Sequence, residues 1–494
     1  MRGLPEGWVW TTLGECFDWG SGGTPRKSVA AYYGGGIPWA VIGDLNDDHV
    51  ETTRSSISLA GLENSSAKWV DQGSVLLAMY GSIGKLGIAS RPLTTNQAIA
   101  HAHPEPVPSR YLFWYLRRIR STLTRRGKGG TQQNISQTVI KAIRFPLAPL
   151  PEQRRIVAKI ESLFAKLDDA VAALKRAEAN LERYRASVLK AAVEGRLTER
   201  WRRENPPEET GEELLERILV ERRKRWEAEQ LAKFEAKGKR PPKDWKSKYK
   251  EPVEPDTDGL PGLPEGWCWA TVGQLAASMA NGIYKPAKFY SASGIPCLRM
   301  YNIVNGELVL RDLKRMVLSE DEMNRYGLKS GDLLINRVNS RELVGKAAAI
   351  PDRLGSIVFE SKNIRLRPVG MGYETRFLAY CFAVLAPAYF GRHSQQVVGM
   401  ASISQKQIGS LVVPVPPSVE QRRIVTEVDR RKRSSAHLGD TIKAKRRQSR
   451  ALRHSILERA FEGRLVPQAP TDEPASALLE RIRVSASRRS GHNL

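Results

Sequence analysis

Glu152-Gln153-Arg154-Arg155-Ile156-Val157 returns as Glu420-Gln421-Arg422-Arg423-Ile424-Val425, 268 residues further on. At the same offset Ile135-Ser136-Gln137 returns as Ile403-Ser404-Gln405, and Glu194-Gly195-Arg196-Leu197 as Glu462-Gly463-Arg464-Leu465. Upstream, Leu4-Pro5-Glu6-Gly7-Trp8 returns as Leu263-Pro264-Glu265-Gly266-Trp267 at an offset of 259, and Gly36-Ile37-Pro38 as Gly294-Ile295-Pro296. Leu214-Leu215-Glu216-Arg217-Ile218 reappears at Leu478 to Ile482. A repeat on this scale governs every local reading. Positions that recur serve the fold or subunit docking, and loops that differ between the copies are where the two can act differently. The chain is two copies of a globular domain, each followed by a helix.

The hydrophobic period changes after Leu150-Pro151. Ile156, Ile160, Leu163, Leu167, Ala170, Leu174, Ala177, Leu181, Tyr184, Val188 and Ala191 alternate steps of four and three, a heptad seam. Pro151 suits the first helical position and Gly195 the stop, giving about 43 residues, or roughly 65 Å, of helix. In the second copy Ser418 and Gln421 have capping-box spacing and Gly463 repeats the stop. Its seam includes Ile424, Val428, Leu438, Ile442, Leu452 and Ile456, but also Arg431, Ser435, Lys445 and Ser449. Two unequal helices are expected, packing imperfectly near Arg431 and Lys445.

At 494 residues the chain exceeds what one hydrophobic core serves, roughly 250–300 residues. The formal net charge is +25 while 41% of residues are hydrophobic, so a folded protein with a polyanionic partner is expected, nucleic acid being the commonest. The surplus is spread over both copies, +6 in residues 1–150 and +7 in residues 263–417. The longest apolar run, Phe377 to Phe390, is too short to span a bilayer and contains Pro387, and Met1-Arg2-Gly3-Leu4-Pro5 begins no signal peptide, so a cytoplasmic protein is expected. Cys16, Cys268, Cys297 and Cys381 lie far apart without a Cys-x-x-Cys pair and read as core residues.

These boundaries divide the chain into a globular domain at 1–150, a long helix at 151–198, a charged tether with a short helix at 199–262, a second globular domain at 263–417, a second long helix at 418–466 and a tail at 467–494. The globular parts read as α+β. Short apolar runs such as Ser74 to Met79 and Asp332 to Ile335 sit among glycine-rich turns, followed by helical Tyr111 to Arg120 and Phe377 to Phe390.

The Leu-Pro-Glu-Gly-Trp opening, the segment Gly129-Gly130-Thr131-Gln132-Gln133-Asn134-Ile135-Ser136 and the run Pro149 to Val157, in duplicated order, resemble the DNA specificity subunit of type I restriction-modification systems. The likeness covers nearly the whole chain, including Glu462 to Gln468 and Asp472-Glu473-Pro474-Ala475. It implies two tandem target-recognition domains in an internal pseudo-two-fold repeat, separated by long antiparallel coiled-coil helices, each reading one half of a bipartite site on double-stranded DNA. It also implies two modification (methyltransferase) subunits as partners, restriction subunits through the complex, no catalysis by this chain and no cofactor. The pieces Leu214 to Ile218 and Leu478 to Ile482 are the expected docking contacts.

Candidate DNA-binding residues lie where the copies diverge. Met79 to Lys85 is matched by the longer Ile335 to Lys346, which carries Arg337, Asn339 and Arg341. Arg bonds guanine bidentately and Asn or Gln bonds adenine, so these residues suit base readout; the competing reading is a solvated loop. Lys85 and Lys346, each beside a glycine, suit phosphate contacts. Trp39 to Asp44 is matched by Cys297 to Asn302, placing Arg299, Tyr301 and Asn302 at a contact or on an edge strand. Arg26 and Lys27, and in the second copy Lys285 and Lys288, occupy matching early loops and suit phosphate contact. Gln132, Gln133 and Asn134 follow a flexible basic stretch and supply amide donors, or form a turn before a strand.

Enzyme readings fare worse. Asp352, Glu360 and Lys362 mimic the metal-binding carboxylates and lysine of a restriction-type nuclease, the alternative function, yet the first copy lacks both carboxylates. Asn205-Pro206-Pro207 lacks the aromatic residue that an amino-methyltransferase stacks on a flipped base. Gly345-Lys346 lacks the rest of a phosphate-binding loop, and His101-Ala102-His103 lacks a third ligand at suitable spacing.

Overall fold

The two Leu-Pro-Glu-Gly-Trp segments fold into the same turn. In a computed structural model, which describes residues 3–127, 134–304, 306–397 and 399–491, Trp8 N–H donates to Pro5 O at 3.2 Å and Trp267 N–H to Pro264 O at 3.1 Å. Gly7 and Gly266 sit at φ +79° and +78°, the left-handed third position that such a turn demands of glycine. The strand that follows, Val9–Thr12 or Cys268–Thr271, pairs antiparallel with the strand before the long helix, Arg144–Leu147 or Val412–Val415. Val9 faces Leu147 and Cys268 faces Val415, so the offsets of the repeat reappear as one register.

The helices that organise the chain are α1 (Ser109–Arg118), α2 (Leu150–Val193), α3 (Gly211–Ala236), α4 (Thr375–His393), α5 (Ser418–Phe461) and α6 (Ala475–Gly491). The chain divides into two units: Met1–Arg176 together with Ile442–Leu494, and Ala177–Thr441.

The first unit has a five-stranded sheet in the order Asp18–Ser21, Ile99–His103, Val75–Ala78, Leu86–Ala89, Asp48–Val50, antiparallel except at its last pair. Beside it is a four-stranded sheet in the order Ser55–Ile57, Tyr33–Ala40, Leu93–Thr95, Trp69–Val70. The aromatic centre joins Tyr111 of α1 to Phe145 and to Phe461 at the end of α5, with ring centroids 5.8 and 5.1 Å apart. Leu478, Leu479 and Ile482 of α6 are buried in the same core. Two stretches far apart in sequence therefore close one hydrophobic interior.

The second unit repeats the plan. Its main sheet runs Ala276–Asn281, Asn363–Pro368, Leu333–Asn336, Ala347–Ala349, and its second sheet is Lys314–Met316, Tyr290–Leu298, Val358–Phe359. Phe377, Phe382 and Phe390 of α4 fill the core, so the apolar run around Pro387 is a core helix. Leu214 and Ile218 of α3 are wholly buried there. The apolar faces of Leu214 to Ile218 and Leu478 to Ile482 are spent inside their own units, while Glu216, Glu480 and Arg481 on the same pieces are exposed. Each of these helices also bonds to the glycine of an opening turn, Gly211 N–H to Gly266 O at 2.7 Å and Ala475 N–H to Gly7 O at 2.8 Å.

The seam of α5 departs from expectation. Leu438 and Leu452 are 51% and 47% exposed, whereas Ser435 and Ser449 are 4% and 8% exposed. Within the second unit α2 and α5 run antiparallel: Leu181 meets Gly439, and Arg185 donates from Nε to Ser435 Oγ at 3.1 Å and from Nη2 to Ser435 O at 3.0 Å. A guanidinium crossing the seam needs a small polar residue opposite, which Ser435 supplies. Val428, Ser435, Ile442, Ser449 and Ile456 of α5 are buried and all belong to the expected seam, while its two leucines face outward. Arg431 turns back to Glu427 on its own helix at 2.9 Å. In the first unit Arg453 lies 4.9 Å from the Phe164 ring centroid and pairs with Asp168. No helix among the described residues is long and apolar enough to cross a membrane.

Candidate nucleic-acid interface

Beneath the divergent loops the two copies share a framework of buried acceptors. Trp8 Nε1 donates to Glu152 at 2.9 Å, and Trp267 Nε1 donates to Glu420 at 2.8 Å. Gln153 Nε2 reaches Ala148 O at 2.8 Å and Gln421 Nε2 reaches Pro416 O at 2.7 Å. Gln421 therefore holds the chain entering the helix, and does not close a capping box on Ser418. The recurring Pro-x-x-Glu-Gln motif, Pro149 to Gln153 and Pro417 to Gln421, is a fastening between ribbon, helix and opening turn, and its Glu and Gln side chains face inward.

The loops that differ emerge from matching places. In the first unit Ile135 N–H donates to Met79 O at 2.9 Å, and Tyr80 bridges Asn134. In the second, Ile403 N–H donates to Arg337 O at 3.0 Å, and Val338–Asn339 pairs with Met400–Ser402. The two stretches singled out separately in the sequence thus meet along one edge in each unit. Gln132 and Gln133 lie outside the described residues; Asn134 is exposed.

Two candidates are framework and not surface. Asn302 is buried, accepting Arg299 N–H at 2.9 Å and donating to Val309 O at 2.8 Å. Its counterpart Asp44 accepts Val41 N–H at 2.9 Å, so both residues cap the same short turn. Asn339 is buried too, donating to Asn336 at 2.7 Å, which in turn donates to Asn363 at 3.1 Å. Both amides have their bonding capacity engaged internally, and neither is placed to read a base.

Others are only partly committed. Arg299 donates to Glu360 at 2.8 Å, and that bond holds its guanidinium above the ordinary arginine range. The same guanidinium lies 5.3 Å from the ring centroid of Tyr301, which is exposed. Lys285 pairs with Glu322 at 2.7 Å, so its charge is spent on a neighbour. Lys85 Nζ donates to Ile42 O at 3.1 Å. Lys346 is half-buried, and burial lowers its ammonium below the ordinary lysine range. Arg337 has its Nε buried without a hydrogen-bond partner. Arg341 is exposed and donates from Nη2 to Gly391 O at 2.7 Å, which aims its remaining edge outward.

Arg26, Lys27 and Lys288 are exposed and pair with no carboxylate among the described residues. Two exposed aromatics on the same loops were not anticipated: Tyr284, 78% exposed beside Lys285, and Tyr80, 42% exposed beside Asn134. The signal was an aromatic residue inside a glycine-bearing loop, and for Tyr284 a cation beside it. Sequence alone does not separate such a ring from a core residue.

Glu360, read as a possible metal ligand, accepts the Arg299 side chain and Met300 N–H, and Asp352 accepts Ser330 Oγ. Among the described residues no three His, Cys, Asp or Glu side chains lie close enough together to hold a metal ion. The thiols of Cys16, Cys268 and Cys297 are pushed up to about 12 by burial, which leaves them protonated and inert.

A family model described as the type I restriction modification DNA specificity domain matches residues 5–176 and 264–443, one match on each copy. The chain belongs to this family. It is a non-catalytic, DNA-binding specificity subunit with two recognition domains. Among its relatives, the type I restriction enzyme EcoKI specificity subunit of Escherichia coli (strain K12) is 25% identical over 513 residues, covering 99% of this chain and 97% of the relative. The EcoBI specificity subunit of Escherichia coli is 22% identical over 86% of this chain and 82% of its own length. The fold is shared with the HsdS subunit from Thermoanaerobacter tengcongensis, at a TM-score of 0.51 and 18% identity over 94% of this chain and 98% of that one. It is also shared, at a TM-score of 0.62 and 20% identity over 94% of this chain and all of the other, with a chain from a study of complex assembly and conformational transition in the type I restriction-modification system.

Proposed function

We propose that the recognition domain in residues 1–150 reads one half of a bipartite DNA target, and the domain in residues 263–417 reads the other. Two modification subunits bind one to each copy of the repeat, and restriction subunits join through that complex. The observation that carries this reading is the contrast between a duplicated framework, Trp8 with Glu152 and Trp267 with Glu420, and divergent loops mounted on it at 79–85 and 337–346. One fold held twice while its reading edge differs is what recognition of two unlike half-sites requires.

Within each edge, Arg26, Lys27 and Lys288 supply phosphate contacts, and Tyr80, Asn134, Tyr301, Arg337 and Arg341 supply base or sugar contacts. Exposed cations set register and affinity, while fork-shaped and planar groups discriminate bases. Replacing residues 263–417 by the equivalent domain of a relative tests the division of labour. Mapping of methylated adenines in a host carrying the hybrid with its modification subunit should show one half of the target changed and the other kept. A change in both halves would refute it.

A further inference from the structure

Residues 237–250 read Lys-Gly-Lys-Arg-Pro-Pro-Lys-Asp-Trp-Lys-Ser-Lys-Tyr-Lys, seven basic residues against one acidic. All seven are exposed. On α3, just before this segment, charge is neutralised within the helix: Arg225 pairs with Glu221 at 2.7 Å, Arg223 with Glu227 at 3.5 Å and Lys233 with Glu229 at 3.9 Å. From Lys237 onward the pairing thins. Lys246 meets Glu227 at 3.0 Å, while Lys237, Lys239, Arg240, Lys243, Lys248 and Lys250 face no carboxylate among the described residues.

A polybasic tether needs no shape if it is only a tether, yet this one is held. Trp226 of α3 stacks on Trp245 with centroids 5.9 Å apart and planes at 21°, and packs on Tyr249 at 5.2 Å. The guanidinia of Arg222 and Arg223 lie 5.4 and 5.5 Å from the Tyr249 ring centroid. Arg222 also donates to the Tyr249 hydroxyl and, at 3.1 Å, to Ala276 O. Turns close at Pro242 O with Trp245 N–H and at Lys246 O with Tyr249 N–H, both at 3.2 Å. Farther on, Thr271 Oγ1 donates to Val253 O at 2.8 Å and pins the segment's exit. Folding thus holds a run of like charges in place against their mutual repulsion, and the ordering entropy is met before any partner arrives.

We propose that residues 237–250 form a second DNA-contacting surface, one that binds the phosphate backbone of duplex DNA without regard to sequence, outside the recognition loops. The inference rests on the chain's binding duplex DNA. The chemistry favours nucleic acid over an acidic protein: six of the seven cations are lysines, which are depleted at protein interfaces, and the rings that would anchor a protein are turned into the clamp. Place agrees with this. Arg222 bonds the start of the strand Ala276–Asn281, whose other end opens the Tyr284 to Lys288 loop. At 3.3 Å per residue the two ends are about 17 Å apart, on the order of five base pairs, so this surface meets phosphates beyond the bases being read.

The test uses the full chain and a duplex of about 40 base pairs of arbitrary sequence, titrated between 50 and 200 mM salt. In one variant Lys237, Lys239, Arg240, Lys243, Lys248 and Lys250 become serine; in a second the five lysines become arginine. The serine variant should bind at least tenfold more weakly at the low-salt end, with a salt slope shallower by about 0.9 for each phosphate that is no longer neutralised. The arginine variant should match the parent, and the methylated sequence should be the same for all three. An unchanged slope in the serine variant overturns the proposal, as does an equal loss in the arginine variant, which would make the effect one of shape. Failed assembly with the modification subunit at an intact salt slope also overturns it, in favour of a protein-docking surface. A parent chain that ignores the duplex sinks the DNA-binding reading itself, whereas a parent that binds and is matched by the serine variant sinks only this site.

Discussion

Trp267 donates its indole N–H to the Glu420 carboxylate at 2.8 Å, tying the opening turn of the second copy to the first turn of α5. Glu420 is buried and also accepts Thr198 Oγ1 at 2.6 Å and Arg202 Nε at 3.0 Å. Glu420→Ala strands a partly buried guanidinium and two further donors, so it should cost the second unit about 3–5 kcal/mol in urea denaturation. Trp267→Phe removes one bond and should cost about 0.5–1.5 kcal/mol.

Glu152 occupies the equivalent place with fewer partners. Trp8 bonds one oxygen at 2.9 Å, while Oε1 is buried without a donor. Burial raises its carboxyl above the ordinary range, and the Trp8 bond only partly opposes this. Because the folded value lies above the unfolded one, the group's stabilising contribution is complete below the unfolded value and is lost as pH rises through the folded value. Glu152→Gln should therefore flatten the pH dependence of unfolding of the first unit from about pH 4 upward. A pH slope identical to that of the parent would show that the carboxyl does not titrate in the fold.

Leu478 is buried in the core of the first unit. Leu478→Ala should destabilise that unit by about 2–5 kcal/mol, read as a lower denaturation midpoint. Assembly with modification subunits should be normal wherever the variant is folded. A docking defect without a stability defect would mark this helix as a partner contact.

Lys288 and Arg341 should behave differently. Lys288→Ala should weaken binding equally on all sequences and reduce the salt slope by about 0.9. Arg341→Ala should cost about 1–3 kcal/mol and relax one position of the methylated target. Uniform weakening by Arg341→Ala would make it a phosphate contact.

The duplication, the helix spans and the loop pairs were legible because each leaves a periodic or repeated mark. The pairing of Val9 with Leu147 left no such mark and appears only in the structure. What stayed hidden depends on the far side of a residue. Asn302 and Asn339 look like readers in a divergent loop, yet each satisfies backbone or amide groups beneath it. The seam leucines Leu438 and Leu452 are apolar at the right spacing, yet the half of the seam that is buried carries Ser435 and Ser449, and Ser435 meets Arg185. Tyr80 and Tyr284 could not be told from core aromatics because exposure is a tertiary property.

The split composition of the first unit has a consequence for synthesis. The second unit, Ala177–Thr441, is one uninterrupted stretch, and it is whole once Thr441 has left the ribosome. The first recognition domain emerges earlier but still lacks Phe461, Leu478 and Ile482, which belong to its interior. At about 5–20 residues per second, the chain from Arg176 to Ile482 takes roughly fifteen seconds to a minute to appear. The domain made first is therefore finished last, and through that interval its exposed apolar wall depends on chaperones or on its neighbours for protection.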